Sequence, residues 1–112
     1  MRTLRLKNTN GYNFNDVKTS DNFEVGSALC KIGNRKYLGK VQRGKDKWGV
    51  DVKLDCGGGS VEGVWHTHPD GEPVPSEPDI QQARMHNLRT MCITAINNRK
   101  KTTKCYNVSN IR

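Results

Sequence analysis

The motif His66-Thr67-His68-Pro69 constrains the fold of this 112-residue chain more than any other feature, because it lies at the end of a predicted strand. From Val61 to His68 the sequence predicts a strand, and successive side chains on a strand point to opposite faces. His66 and His68 therefore point the same way, about 6.6 Å apart along the backbone. Two histidines placed in this way can converge on one ion.

The chain leaves this strand through a loop and then begins a helix. Pro69 to Pro75 holds four Pro or Gly among seven residues, which predicts a loop. Ser76-Glu77-Pro78-Asp79 has the pattern of a capping box, so a helix is predicted from there to about Leu88 or Arg89. A helix cap alone would explain Ser76 and Asp79, and it is compatible with a second role for both residues.

Several shorter patterns predict further strands around this unit. Alternation, turn signals and β-branched residues mark them. They are residues 23–32, the hairpin partner Lys36 to Arg43 across Gly33-Asn34, Trp48 to Leu54, Met91 to Ile96, and Thr102 to Val108. The length suits a single domain covering 1–112, in which Leu4 to Asp21 is predicted to form a strand and a loop.

The charge of the chain favours acidic partners. Nineteen Lys and Arg against eleven Asp and Glu give a formal charge of +8, which suits nucleic acid, an anionic membrane or an acidic protein. The densest basic stretch runs from Arg99 to Lys104. A solvated surface is the alternative interpretation of this charge.

The N-terminus has no signal-peptide pattern, and no apolar stretch is long enough to span a membrane. We therefore expect a cytoplasmic protein without a membrane partner. Cys30, Cys56, Cys92 and Cys105 form no C-x-x-C pair, which argues against a zinc ribbon or a thioredoxin-like motif. Buried free thiols are the expectation, with one or two disulfides as the alternative.

Three side chains in the motif region are potential metal ligands. Catalytic zinc takes three protein ligands and leaves its fourth position to water. His66, His68 and Asp79 supply that number, provided that the helix start brings the carboxylate round to the strand. Two histidines on one face of a strand are otherwise ordinary polar surface.

The pattern His66-x-His68-Pro69-x7-Ser76-x2-Asp79 resembles the signature of the JAMM (MPN+, JAB) metalloproteases at every defined position. The resemblance implies one Zn²⁺ per chain held by His66, His68 and Asp79, with Ser76 stabilising the oxyanion. It also implies an α/β (α+β) fold, a mixed sheet with flanking helix related to the cytidine deaminases. The first 21 residues depart from the family, many members of which begin with an amphipathic helix.

The family's general base is a glutamate on an earlier strand, and Glu24 resembles it, although Gly26 comes one residue earlier than in many members. Glu62 shares the face of His66 but lies about 13 Å along the strand, too far to share a water with the metal. Asp70 and Glu72 lie in a flexible loop and are poorer candidates, because a base needs fixed geometry.

The resemblance implies a zinc peptidase or isopeptidase, whose substrate would suit a basic surface if it were an acidic ubiquitin-like or sulfur-carrier protein. Cell-wall or phage-tail peptides are an alternative substrate within the same class. A RadC-like nucleic-acid-associated module is a second hypothesis, because His68-Pro-Asp-Gly71 and Pro75-Ser76 also resemble that group, and Arg99 to Lys104 would then contact phosphates. A non-catalytic scaffold is a third. A deaminase is excluded, since H-x-E and P-C-x-x-C are missing.

Overall fold

One mixed sheet of six strands organises the protein. A computed structural model of the protein describes residues 9–110. Its strands run in the order β2-β1-β4-β5-β6, with β3 paired to the other part of β1. The elements are β1 (Val25–Ile32), β2 (Arg35–Leu38), β3 (Gln42–Arg43), β4 (Ser60–Pro69), helix α1 (Glu77–Met85), β5 (Thr90–Asn97), β6 (Lys100–Asn107) and a final 3₁₀ turn (Val108–Asn110). The predicted fold class, a mixed sheet with a flanking helix, is confirmed.

The pairing of β4 with β5 determines where the helix lies. These two strands are parallel, whereas every other pair in the sheet is antiparallel. Parallel neighbours need a crossover connection, because the chain must return to the starting end before it forms the second strand. Helix α1 is that connection, so its N-terminus lies close to the end of β4 that carries His68.

The two faces of the sheet bury different side chains. Trp65 packs on one face with Tyr12 and Phe14, and the rings of Phe14 and Trp65 lie 5.2 Å apart. Helix α1 covers part of the other face and buries Ile80 and Ala83. Residues 9–21 form turns and loops and supply the two aromatic side chains, while the N-terminal part of the strand predicted within 4–21 lies outside the described residues.

A bulge in β4 changes the alternation at its beginning. Leu29 of β1 pairs with Gly63, and the next residue, Cys30, pairs with Val61. Glu62 therefore has no partner on β1. Val61 and Val64 consequently pack against the same cluster below α1. Burial, followed by the charge of Glu62, raises the pKa of Tyr12 to about 12. The bulge interrupts strict alternation between Glu62 and His66, and the prediction that these two residues share a face stays a prediction.

The predicted strand from Trp48 to Leu54 is also wrong. This segment is extended and its side chains alternate in exposure, but it joins no strand ladder. Val52 lies over Gly26 of β1, so close that a Cβ at position 26 would be 2.7 Å from the Val52 Cγ2 atom. The alternation arises because the segment packs on the face of the sheet, with every second side chain turned inward.

Two further boundaries differ from the predicted ones. The hairpin partner of β1 divides into β2 and β3, which are separated by residues 39–41. Helix α1 ends at Met85, three or four residues earlier than predicted, and Asn87 then adopts a left-handed conformation with φ of 55°. Asn tolerates this conformation better than most residues and commonly ends a helix.

All four cysteines are paired, which corrects the prediction of free thiols. Cys30 is bonded to Cys56, and Cys92 is bonded to Cys105. Cys92 and Cys105 lie directly opposite each other on β5 and β6, a relationship that depends on strand register and is invisible in sequence spacing. Disulfides persist mainly in oxidising compartments, so they bear on the predicted cytoplasmic localisation, which stays a prediction. No helix in the described part of the chain is long and apolar enough to cross a membrane.

The disulfides predict the thiol chemistry of the native protein. Alkylation without reductant should modify none of the four cysteines, and alkylation after reduction and denaturation should modify all of them. Replacing Cys30 and Cys56 together with Ser should lower the free energy of unfolding by roughly 3 kcal/mol, because the unfolded chain then loses a closed loop. Mass spectrometry and denaturant titration test both statements, and four reactive thiols in the native, unreduced protein would contradict them.

Candidate metal centre

Strand β4 places the two histidines at the end of the sheet nearest to α1. His66 is buried, with 7% of its surface exposed, and His68 is half-buried beside it. The histidine rings lie 4.9 Å apart. Gly26 is the β1 partner of His66, and a Cβ there would come within 3.1 Å of the His66 Cβ. Glycine at position 26 therefore makes room for the buried imidazole.

Asp79 reaches both histidines from the first turn of α1. Its Oδ1 atom is 3.3 Å from His66 Nε2, and its Oδ2 atom is 3.5 Å from His68 Nε2. The same carboxylate accepts a hydrogen bond of 2.8 Å from the Ser76 amide, as the predicted capping box requires. The cap fixes the side chain that the two imidazoles face.

The orientation of the His68 ring is set by the loop that follows β4. Its Nδ1 atom lies 3.0 Å from the Glu72 carbonyl oxygen, which can only accept, so Nδ1 donates. A neutral His68 then turns a lone pair on Nε2 toward the Asp79 carboxylate, which is also an acceptor. Two acceptors at this separation need a proton or a cation between them.

His66 shows the same shortage of positive charge. Its Nε2 atom faces Asp79, and its Nδ1 atom lies 3.5 Å from Glu24 Oε1 without forming a hydrogen bond. Nδ1 is a buried side-chain nitrogen without a hydrogen-bond partner among the described residues. A neutral imidazole has a single N–H and cannot serve two carboxylates. The residues therefore fit a bound cation with nitrogen and oxygen ligands.

The pKa values record this shortage in the metal-free protein. Burial alone lowers the pKa of His66, but the neighbouring carboxylates of Asp79 and Glu24 outweigh it and raise the pKa to about 9. Burial raises the pKa of Asp79, whereas His66, His68 and the Ser76 amide hold it well below its usual range. In the metal-free protein, a proton on His66 supplies positive charge to the neighbouring carboxylates.

Glu24 lies within the same cluster. It is buried, directly precedes β1, and is held through its backbone by Gly44 and Asp46. Glu24, His66 and His68 each bring one ligand atom to within 4.8 Å of the others. Asp79 faces the Nε2 atoms of both histidines, whereas Glu24 faces the other nitrogen of His66. Glu24 is thus close enough to act on a molecule bound beside the histidines.

Ser76 is exposed at the N-cap of α1. Its Oγ atom accepts a long hydrogen bond of 3.4 Å from the Asp79 amide, so its own proton remains available to another acceptor. Ser76 lines the same cleft as His66, His68, Asp79 and Glu24. The structure thus brings together all five residues that the sequence singled out, while their roles stay predictions.

A cleft of about 930 Å³ opens over these residues. One side is a tight turn of residues 44–49, here called the rim turn, closed by a bridge between Asp46 and Gly49. The rim turn carries Trp48, whose side chain is 86% exposed, and Lys47, which forms an ion pair of 2.5 Å with Asp70 on the opposite side. Sequence reasoning assigned Trp48 to a strand, although the nearby Asp46 and Gly49 were signals of a turn.

The basic stretch from Arg99 to Lys104 lies elsewhere. It forms the turn between β5 and β6 and the beginning of β6, and most of its side chains are exposed. None of these residues lines the cleft. Lysines on an edge strand also discourage pairing with other chains, so this stretch has a structural explanation that requires no phosphate.

The fold and the site together define a small mixed-sheet domain with a cluster of histidines and carboxylates that could hold a metal ion. A family model described as prokaryotic homologs of the JAB domain matches residues 12–108. The chain therefore belongs to this family, which confirms the resemblance seen in the sequence. Family membership supports a metal-dependent hydrolase or a related JAB-like module, and it specifies neither the metal nor the substrate. A search among curated proteins found no match.

The coupled charges predict how the metal-free protein responds to pH. The pKa of His66 is raised from 6.5, so its contribution to stability is complete below pH 6.5 and is lost as the pH rises through about 9. The pKa of Asp79 is lowered from 3.8, so its contribution is present above that pH and is lost on acidification. Denaturant midpoints of chelator-treated protein should therefore be highest between about pH 4 and pH 6.5.

The variant His66→Gln serves as the control for this pH dependence. It removes the titrating imidazole, so its denaturant midpoint should fall less between pH 6.5 and pH 9.5 than that of the wild type. Parallel curves for the two proteins over that range would contradict the assignment.

Proposed function

We propose that this protein is a zinc-dependent peptidase or isopeptidase that hydrolyses an amide bond in a polypeptide. The observation that carries the proposal is the convergence of two imidazole Nε2 atoms on the two oxygens of Asp79, beside the buried carboxylate of Glu24. Two histidines and one carboxylate are a ligand set of catalytic zinc sites that leave one position open. The match to the JAB family adds independent support.

In the proposal His66, His68 and Asp79 hold the zinc. The bound ion would polarise the substrate carbonyl and make water more acidic. His68 is prepared for this role, because its Nδ1 proton is engaged by the Glu72 carbonyl and its Nε2 atom is left to bind. The capping box holds Asp79 in place before any ion arrives.

Glu24 is the proposed general base. It takes a proton from the attacking water, the water oxygen bonds to the carbonyl carbon, and the carbon–nitrogen bond then breaks. Glu24 delivers the proton to the leaving nitrogen, so the products are a carboxylate and an amine. Burial and the two backbone contacts with the rim turn keep the carboxylate in a fixed position.

Ser76 is proposed to donate its hydroxyl proton to the oxygen that becomes negative during the attack. A donor already held at a helix cap needs little rearrangement when that charge develops. Its hydroxyl is exposed to the cleft, and its capping hydrogen bond uses the oxygen as an acceptor only.

The substrate is proposed to be a protein or peptide with acidic character, such as a ubiquitin-like or sulfur-carrier protein. The net charge of +8 supports an acidic partner. The cleft itself is mixed in charge, with Arg43, Lys45 and Lys47 set against Asp46, Asp51 and Asp70. Attraction would thus come from the surface as a whole, and the exposed Trp48 offers an aromatic contact of the kind that dominates protein interfaces.

Metal analysis tests the proposed ligand set. Purified wild-type protein should bind one zinc per chain, and His68→Ala should lose most of it, because two of three ligands cannot hold the ion as tightly. His86→Ala is the matched control, since His86 lies exposed at the end of α1 and should leave the zinc content unchanged. Equal metal in wild type and His68→Ala would overturn the ligand assignment.

Glu24→Gln tests the base. Glutamine keeps the size and polarity of the side chain but cannot accept a proton at neutral pH, so turnover should fall by about 100-fold or more while bound zinc stays the same. Glu62→Gln is the control carboxylate, because Glu62 lies on β4 outside the cleft and should leave turnover unchanged. Assays with ubiquitin-like fusions and short peptides, with and without chelator, measure this. Retained activity in Glu24→Gln would reduce Glu24 to a residue that orients His66.

A further inference from the structure

A second cavity of about 390 Å³ lies beside the cleft, between helix α1 and the extended segment of residues 50–54. We call it the side pocket. Four residues line both the cleft and the side pocket, namely Val50, Asp51, His66 and Asp79, so two of the three proposed metal ligands lie on the boundary between the two cavities. A molecule bound at the metal centre therefore lies at the entrance to the side pocket.

Seven of the twelve side chains that line the side pocket are apolar, and the other five are polar or charged. Among the apolar ones, Met91 and Ala83 are fully buried, while Val52, Leu54 and Val64 are partly exposed although they surround one common space. Partly exposed apolar side chains around a cavity lose contact with water when another apolar group enters, and this stabilises the complex. The polar side chains of the pocket include Gln82 and His86, which are exposed on α1.

The spacing of these polar residues places them on the same helix face as Asp79. Asp79, Gln82 and His86 follow one another by three and four residues, and such residues share one face of a helix. One helix face thus provides a metal ligand and two polar side chains beside the side pocket. A side chain that passes them reaches the apolar floor.

We propose that the side pocket is a specificity pocket for a large aliphatic or aromatic side chain of the substrate, from a residue next to the bond that is cleaved. The inference rests on the proposed function for the identity of the bound molecule as a polypeptide. Neighbouring residues of a chain are about 3.8 Å apart, so a residue flanking the scissile bond is close enough to reach a pocket that begins at the ligands. Glycine at that position would leave the space unfilled.

The test compares peptides that are identical except for Gly, Ala, Leu or Phe at each of the two positions flanking the scissile bond. At one of these positions, kcat/KM of the zinc-loaded wild type should be roughly 10- to 100-fold higher for Leu or Phe than for Gly. Affinity of the labelled peptides for chelator-treated wild type, measured by fluorescence anisotropy, should follow the same order. This second readout requires no turnover.

Two variants on the exposed side of α1 provide the control. In Gln82→Trp a bulky ring would obstruct the side pocket, so the preference for Leu or Phe over Gly should fall toward one. Gln81→Trp places the same ring on an exposed neighbour that lines neither cavity, and it should keep the wild-type preference. Both positions are exposed, so neither substitution disturbs the core.

The outcomes separate the two proposals. Absence of turnover with every peptide would count against the proposed hydrolysis, and the order of peptide affinities would still decide on the pocket. Cleavage or binding without any preference for Leu or Phe would overturn the specificity pocket and leave the hydrolase proposal standing. Equal loss of preference in Gln82→Trp and Gln81→Trp would also overturn it.

Discussion

The parallel pairing of β4 with β5 is the constraint on which the site depends. Parallel strands cannot be joined by a tight turn, so the chain must cross over the sheet between them. The crossover is helix α1, and its first turn lies beside the histidines of β4. Because a helix begins with free backbone N–H groups, this position also calls for a capping residue. One local requirement of the backbone thus places the carboxylate of Asp79 opposite two imidazoles.

A mismatch of hydrogen-bond donors and acceptors then gives the site its chemistry. A ring nitrogen of each histidine faces a carboxylate, and His66 faces two carboxylates, those of Asp79 and Glu24. A buried cluster of acceptors is costly unless positive charge is supplied. In the metal-free protein the raised pKa of His66 keeps a proton on the ring, and this proton supplies the positive charge. A divalent cation would supply the charge with a fixed ligand geometry. The cluster therefore requires a positive charge, whichever substrate binds.

The sequence predicted the site better than the parts of the fold around it. The spacing of His66, His68, Ser76 and Asp79 depends on one strand, one loop and one helix cap, and these are local patterns that can be read directly. The strand predicted at Trp48 to Leu54 failed because alternation records which side chains are buried and contains no information about a pairing partner. The pairing of Cys92 with Cys105 was missed because it depends on the register between β5 and β6. The side of β4 on which Val61 lies was reversed by a bulge that no residue pattern announced.

The ion pair between Lys47 and Asp70 joins the two banks of the cleft. One bank is the rim turn, which holds the backbone of Glu24, and the other is the loop whose Glu72 carbonyl orients His68. Both charged side chains are well exposed, and an ion pair of this kind contributes about 1 kcal/mol or less. The two banks of the cleft are thus joined by a contact that costs little to break, whereas the histidines and carboxylates behind it are held by a paired strand and a helix cap.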